Sequence, residues 1–110
     1  MDFNTYQSAA RNTAVYPGKD EGQWMYPALG LAGETGEICE KLKKALRDEQ
    51  GVISPERKAA LRKELGDVLW YIAALCSELG LAMDDVASFN IEKLARRSAN
   101  NRLHGDGDDR

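Results

Sequence analysis

Four carboxylates fall into two matched pairs, Glu34 with Glu37 and Glu64 with Asp67. Each pair has i, i+3 spacing, which on a helix makes neighbours of two like charges that repel. At about 100° per residue, Glu34, Glu37 and Lys41 flank an apolar stripe of Leu31, Ile38, Leu42 and Ala45. Glu64, Asp67 and Tyr71 flank a second stripe of Leu61, Leu65, Val68, Ile72, Leu75 and Leu79 in the same way. Helices packed through those stripes would bring all four carboxylates to one seam. Ionised carboxylates crowded into a partly desolvated cleft need a cation or raised pKa values. Oxygen-only ligation without a nearby His or Cys suits Mg²⁺, with Mn²⁺ as the alternative. Mg²⁺ often shares its shell with substrate phosphates, so the pattern points to a phosphate-bearing substrate. The competing reading is a pair of solvated acidic faces, and spacing alone leaves both standing.

The elements that must position these residues are helical. Strand signals are nearly absent, and a period near 3.6 dominates. The periodicity predicts a first helix over Phe3 to Ala14, broken by Tyr16-Pro17-Gly18. A long second helix starts between Trp24 and Pro27 and runs to Arg47. Ser54 as N-cap and Pro55 at the first position open a third helix, which ends at Leu79 before Gly80. Asp84 or Asp85 would cap a fourth, ending near Arg97. The residues after it, 99–110, form a polar tail rich in Asn, Gly and Asp that is expected to be mobile, His104 with it. The result is an all-α, four-helix-bundle-like domain over residues 1–98. Gly30, Gly33 and Gly36 in the second helix and Gly66 in the third each cost up to about 1 kcal/mol relative to Ala. That cost implies a close approach to the backbone by a helix, a metal or a ligand, or for Gly30 a frayed helix start.

Composition excludes several functions. A chain of 110 residues makes one domain with a limited core, a common reason for self-association. The net charge of −3 gives no general basic surface for nucleic acid. No apolar run reaches the ~20 residues that span a bilayer, and residues 1–4 lack the features of a signal peptide. A cytoplasmic protein is expected. Cys39 and Cys76 fall in apolar helical patterns and read as reduced, packed side chains.

Outside the acidic pairs, Asn90, Lys93 and Arg97 form a polar stripe suited to phosphate, or else a solvated basic face. Lys41 is a further phosphate contact or a last-turn cation that complements the helix dipole. Trp24 and Tyr71 are candidates to touch a base or sugar, with core or interface packing as the competing role. Trp70 lies opposite the Leu61 stripe and reads as an interface or second-core residue.

Three segments together resemble the MazG-like nucleotide pyrophosphohydrolases: Gly30-Leu31-Ala32-Gly33-Glu34-Thr35-Gly36-Glu37, Glu64-Leu65-Gly66-Asp67-Val68-Leu69-Trp70-Tyr71, and Asn90-Ile91-Glu92-Lys93. The family pattern is Glu-x-x-Glu, a variable spacer, Glu-x-x-Asp, then Asn-x-x-Lys, and the likeness spans Phe3 to Arg97. It implies an all-α homodimer, or a homotetramer made of two dimers. It implies hydrolysis of a nucleoside triphosphate to a monophosphate and pyrophosphate, with Mg²⁺ held by Glu34, Glu37, Glu64 and Asp67. One of the four would take the proton of the attacking water. A phosphoribosyl-ATP pyrophosphatase of the same fold and a non-catalytic helical interaction module are the alternatives.

Overall fold

The computed structural model of the chain describes residues 1–101 and 103–109. Among these the secondary structure is helical throughout: α1 (Phe3–Arg11), α2 (Met25–Asp48), α3 (Pro55–Glu78) and α4 (Met83–Ala99). The two long helices, α2 and α3, form a hairpin, α1 lies against α3, and α4 packs on α1. The all-α architecture is the one the periodicity predicts.

The helix ends explain themselves locally. Asp2 caps α1 by accepting from the Thr5 N–H at 2.7 Å. Ser54 caps α3 from Arg57 N–H at 3.1 Å, with Pro55 next to it where no N–H is needed. The turn between α2 and α3 is closed by Arg57, which grips Glu49 with Nη2 at 2.6 Å and donates to the Lys41 carbonyl at 3.0 Å. Gly80, at φ 69, ends α3, and Leu81 N–H then reaches back to the Cys76 carbonyl at 2.8 Å.

Four expectations are corrected. First, α1 stops at Arg11 instead of Ala14, because Ala14 and Tyr16 turn inward to pack on Ala74 and Trp70. Second, neither Asp84 nor Asp85 caps α4. Gln7 Oε1 accepts from Met83 N–H at 2.8 Å and Asn4 Oδ1 from Asp84 N–H at 3.1 Å, while Asp84 accepts from Phe3 N–H at 3.1 Å. The starts of α1 and α4 therefore cap each other across the fold. Third, the predicted apolar stripe of α3 is only partly covered: Leu65 and Leu79 stay exposed. The cause is the course of α4, which leaves α3 at 103° and cannot cover it lengthwise. Fourth, among the cysteines Cys76 is buried and Cys39 is exposed, so only the first packs as expected.

The buried core is small. Ala73, Cys76 and Met83 form one cluster with Tyr6, Ala10, Leu69 and Ile72 against it. Among the described residues no single helix is long and apolar enough to cross a membrane.

Candidate active site

The α2–α3 hairpin brings three of the four carboxylates together. Glu34, Glu64 and Asp67 each offer an oxygen, and these atoms all lie within 4.8 Å of one another. Oxygens sharing one octahedral Mg²⁺ at about 2.1 Å sit roughly 3–4 Å apart, so a small closure would fit the ion. The charges are poorly balanced without one. Lys41 Nζ pairs with Glu64 at 3.0 Å and holds its carboxyl below the usual range. Desolvation raises Glu34, helped by its hydrogen bond to Glu64 and by the charges of Asp67, Glu64 and Glu37. Glu34 therefore takes a proton before Glu64 does, and a divalent cation would relieve the same repulsion. Glu37 lies one turn further along α2. It is exposed and outside the close group, though its charge still acts on Glu34.

A glycine precedes three of these carboxylates: Gly33 before Glu34, Gly36 before Glu37 and Gly66 before Asp67. A Cβ at any of the three would meet nothing within 4 Å among the described residues. No packing among the described residues accounts for them, and against those residues the backbone beside the carboxylates is bare.

Gly30 is different. A Cβ there would lie 2.2–2.5 Å from Tyr71 ring atoms, so the ring rests directly on the α2 backbone. The close approach anticipated for the glycines holds here, and the frayed-start reading does not. The field of Glu34 and Asp67 reaches the Tyr71 hydroxyl, which desolvation and these charges, together with Tyr26, push up. Trp70 meets Tyr71 edge-on at 5.1 Å and Tyr16 edge-on at 6.3 Å, and Tyr16 stacks on Tyr26 at 5.3 Å. Trp70 thus serves the second core of its own chain, with Nε1 donating to Thr13 Oγ1 at 2.9 Å. Gly30→Ala should destabilise the fold by about 1–3 kcal/mol through overpacking. Gly33→Ala should instead stabilise it by up to about 1 kcal/mol, the ordinary helix preference. Chemical denaturation of the two variants reads the opposite signs directly.

The aromatic shelf is held by a network that sequence reasoning missed. Glu78, at the end of α3, has a side chain with 0% exposure. It accepts hydrogen bonds from Arg11 and from the Tyr16 hydroxyl, and from Asp20 N–H at 3.2 Å. Arg11 also donates to Tyr16 at 2.6 Å and to Asp20 at 2.7 Å. Burial pushes the Glu78 carboxyl up, but these donors outweigh it and leave the group below the usual carboxylate range. The network pins the segment between α1 and α2, and with it Tyr16 and Tyr26. No spacing within α3 signals these partners, which lie 58 to 67 residues away in the chain.

The remaining predicted residues lie apart from the close group. Trp24 sits at the start of α2, half exposed. Asn90 lines an apolar hollow with Phe3, Ile72 and Val86. Lys93 and Arg97 face the end of the chain: Lys93 Nζ lies 3.1 Å from Asp108 and Arg97 Nη2 3.5 Å from the same oxygen. Among the described residues the ion pair at the acidic group is made by Lys41.

Comparison with known proteins adds three findings. The profile of the MazG nucleotide pyrophosphohydrolase domain matches residues 27–101, which hold all four carboxylates and the Asn90–Lys93 segment. The Gene 37 protein of Mycobacterium phage L5 is 42% identical over 114 aligned residues that cover 100% of both chains. No solved structure matches the chain.

Proposed function

We propose, from the premise that this chain belongs to the MazG nucleotide pyrophosphohydrolase family, that it cleaves (d)NTPs to (d)NMPs and pyrophosphate with Mg²⁺. The observation that carries the reading is the convergence of Glu34, Glu64 and Asp67 from two helices beside a bare glycine backbone. Those three would hold the ion, which supplies charge neutralisation at the phosphate oxygens and a lowered pKa for water. Glu37 has no ion-pair partner among the described residues and is exposed one turn from Glu34. It is the carboxylate left free to accept the proton of the attacking water. Lys41, already at the edge of the group, is the nearest cation for a phosphate oxygen. Asn90, Lys93 and Arg97 contribute further phosphate contacts from α4. Tyr71 and the half-exposed Trp24 offer faces to the base or sugar. The activity suits housekeeping of the nucleotide pool.

The working unit is a homodimer or a dimer of dimers. The radius of gyration is 16.8 Å, where a compact domain of this size has about 13 Å. Large apolar side chains stand out in the single chain, among them Leu46 at 71% and Ile91 at 67% exposure, with Leu29, Leu65 and Phe89. A monomer rarely leaves so much apolar surface in water. Sedimentation should give at least twice the chain mass of 12.2 kDa, and Leu46→Glu with Ile91→Glu should shift it towards one chain.

Chromatographic product analysis over a panel of standard and modified (d)NTPs tests the reaction. Monophosphate and pyrophosphate in equimolar amounts are expected. Diphosphate and orthophosphate would refute the reading. Inertness of every triphosphate in folded protein would favour phosphoribosyl-ATP or a non-catalytic role.

A further inference from the structure

We propose that the acidic end of the chain is a tethered occupant of an anion cleft on α4, competing with phosphate for Lys93 and Arg97. The cleft has a volume of about 350 Å³, is lined by Lys93, Arg96 and Arg97 of α4 and by Asn100 just after it, and is closed by Asp108 and Asp109. The claim rests on the reading above, in which α4 receives substrate phosphate, and adds a control on that site.

Three observations carry it. The first is the matched chemistry of the occupant. Asp108 presents its backbone carbonyl to Arg97 Nη2 and a carboxylate oxygen to Lys93 Nζ at 3.1 Å, two acceptors on two cations as a phosphate would present. The second is an unmet donor. The Arg97 side chain is only 5% exposed, and its buried Nε has no hydrogen-bond partner among the described residues. A phosphate has an oxygen to spare for that N–H, whereas Asp108 and the other described residues of the tail leave it unanswered. The third is replaceability. The Asp108 side chain is 82% exposed, so water can replace its carboxylate's partners, and its pair with Lys93 is screened by salt. Lys93, and then Arg97, hold the Asp108 carboxyl below its usual range, so it stays ionised at neutral pH.

A contact this weak matters because it is intramolecular. Asp108 follows Arg97 by 11 residues, and a short tether gives an effective concentration in the millimolar range. A competing ligand then binds with its affinity reduced by the fraction of clefts left free. Docking for roughly 70–90% of the time weakens phosphate binding about 3- to 10-fold.

The test is calorimetric titration of inorganic pyrophosphate into the unmodified chain in EDTA, where Lys41 stays paired with Glu64 and the acidic group repels the anion, which leaves the basic cleft to take it. Asp108→Asn keeps the shape and removes the charge, and should bind pyrophosphate about 3- to 10-fold more tightly than the unmodified chain. Lys93→Ala should abolish binding in both backgrounds. Equal affinity with and without Asp108 overturns the proposal, as does pyrophosphate binding that survives Lys93→Ala or is absent from both proteins. Failure of the hydrolase reading is separable: it appears as missing Mg²⁺-dependent turnover and leaves this metal-free titration readable.

Discussion

Asp67→Asn is expected to abolish both Mg²⁺ binding and turnover, whereas Glu37→Gln abolishes turnover and keeps the ion. The split follows from placement. Asp67 contributes an oxygen to the close group with Glu34 and Glu64, while Glu37 stands outside it. Mg²⁺ at about a hundred times its dissociation constant would stabilise the native state by about 2.7 kcal/mol. That is a rise in Tm on the order of 10 °C for a domain of this size. The unmodified chain and Glu37→Gln should show this rise, and Asp67→Asn should not. In EDTA the order reverses, because removing one of three crowded like charges raises the Tm of Asp67→Asn above that of the unmodified chain. Turnover should fall at least about 100-fold in both variants, the scale of losing some 2.7 kcal/mol of transition-state stabilisation. Thermal melts with and without Mg²⁺, paired with pyrophosphate release, separate holding the ion from taking the proton. A Glu37→Gln protein that loses the Mg²⁺ shift would place Glu37 among the ligands instead.

Glu78→Ala has the largest expected effect on stability. Its carboxylate is fully enclosed and accepts from Arg11, Tyr16 and the Asp20 backbone. Removing one partner of a buried pair typically costs 3–5 kcal/mol. Arg11 retains 21% side-chain exposure, so water relieves part of its loss and the lower end, about 3 kcal/mol, is expected. The Tm should fall by more than about 10 °C. The sign of the pH dependence follows from the depressed folded-state pKa. The unfolded chain binds a proton more readily than the native one, so this stabilisation is present in full above the ordinary carboxylate value. It is lost as pH falls through the lower native value. Glu78→Gln should accordingly flatten the acid limb of the Tm profile. An unchanged acid limb would show that the network carries no pH-linked stability.

The sequence revealed what local chemistry determines. Ser54-Pro55 and Gly80 bound α3 because a capping hydroxyl, a missing N–H and a positive φ act within a few residues. The matched carboxylate pairs were legible because i, i+3 spacing fixes a helix face whatever the helix packs against. Contacts between distant segments were not legible. Glu78 meets Arg11 and Tyr16 across 67 and 62 residues, and no pattern in α3 announces them. The caps of α4 come from Gln7 and Asn4, so two nearby aspartates misled. Leu65 and Leu79 have the right period for burial but stay exposed because α4 turns away. The basic stripe of α4 was visible in the sequence, but its meeting with Asp108 depends on the course of the chain beyond the helix.

The decisive assay is pyrophosphate release from a (d)NTP mixture by the unmodified chain in Mg²⁺, then in EDTA, then with Mg²⁺ restored. Release that stops with chelation and resumes with Mg²⁺ is the predicted result. Release indifferent to EDTA, or none from folded protein under any of the three conditions, would contradict a metal-dependent pyrophosphohydrolase built on Glu34, Glu64 and Asp67.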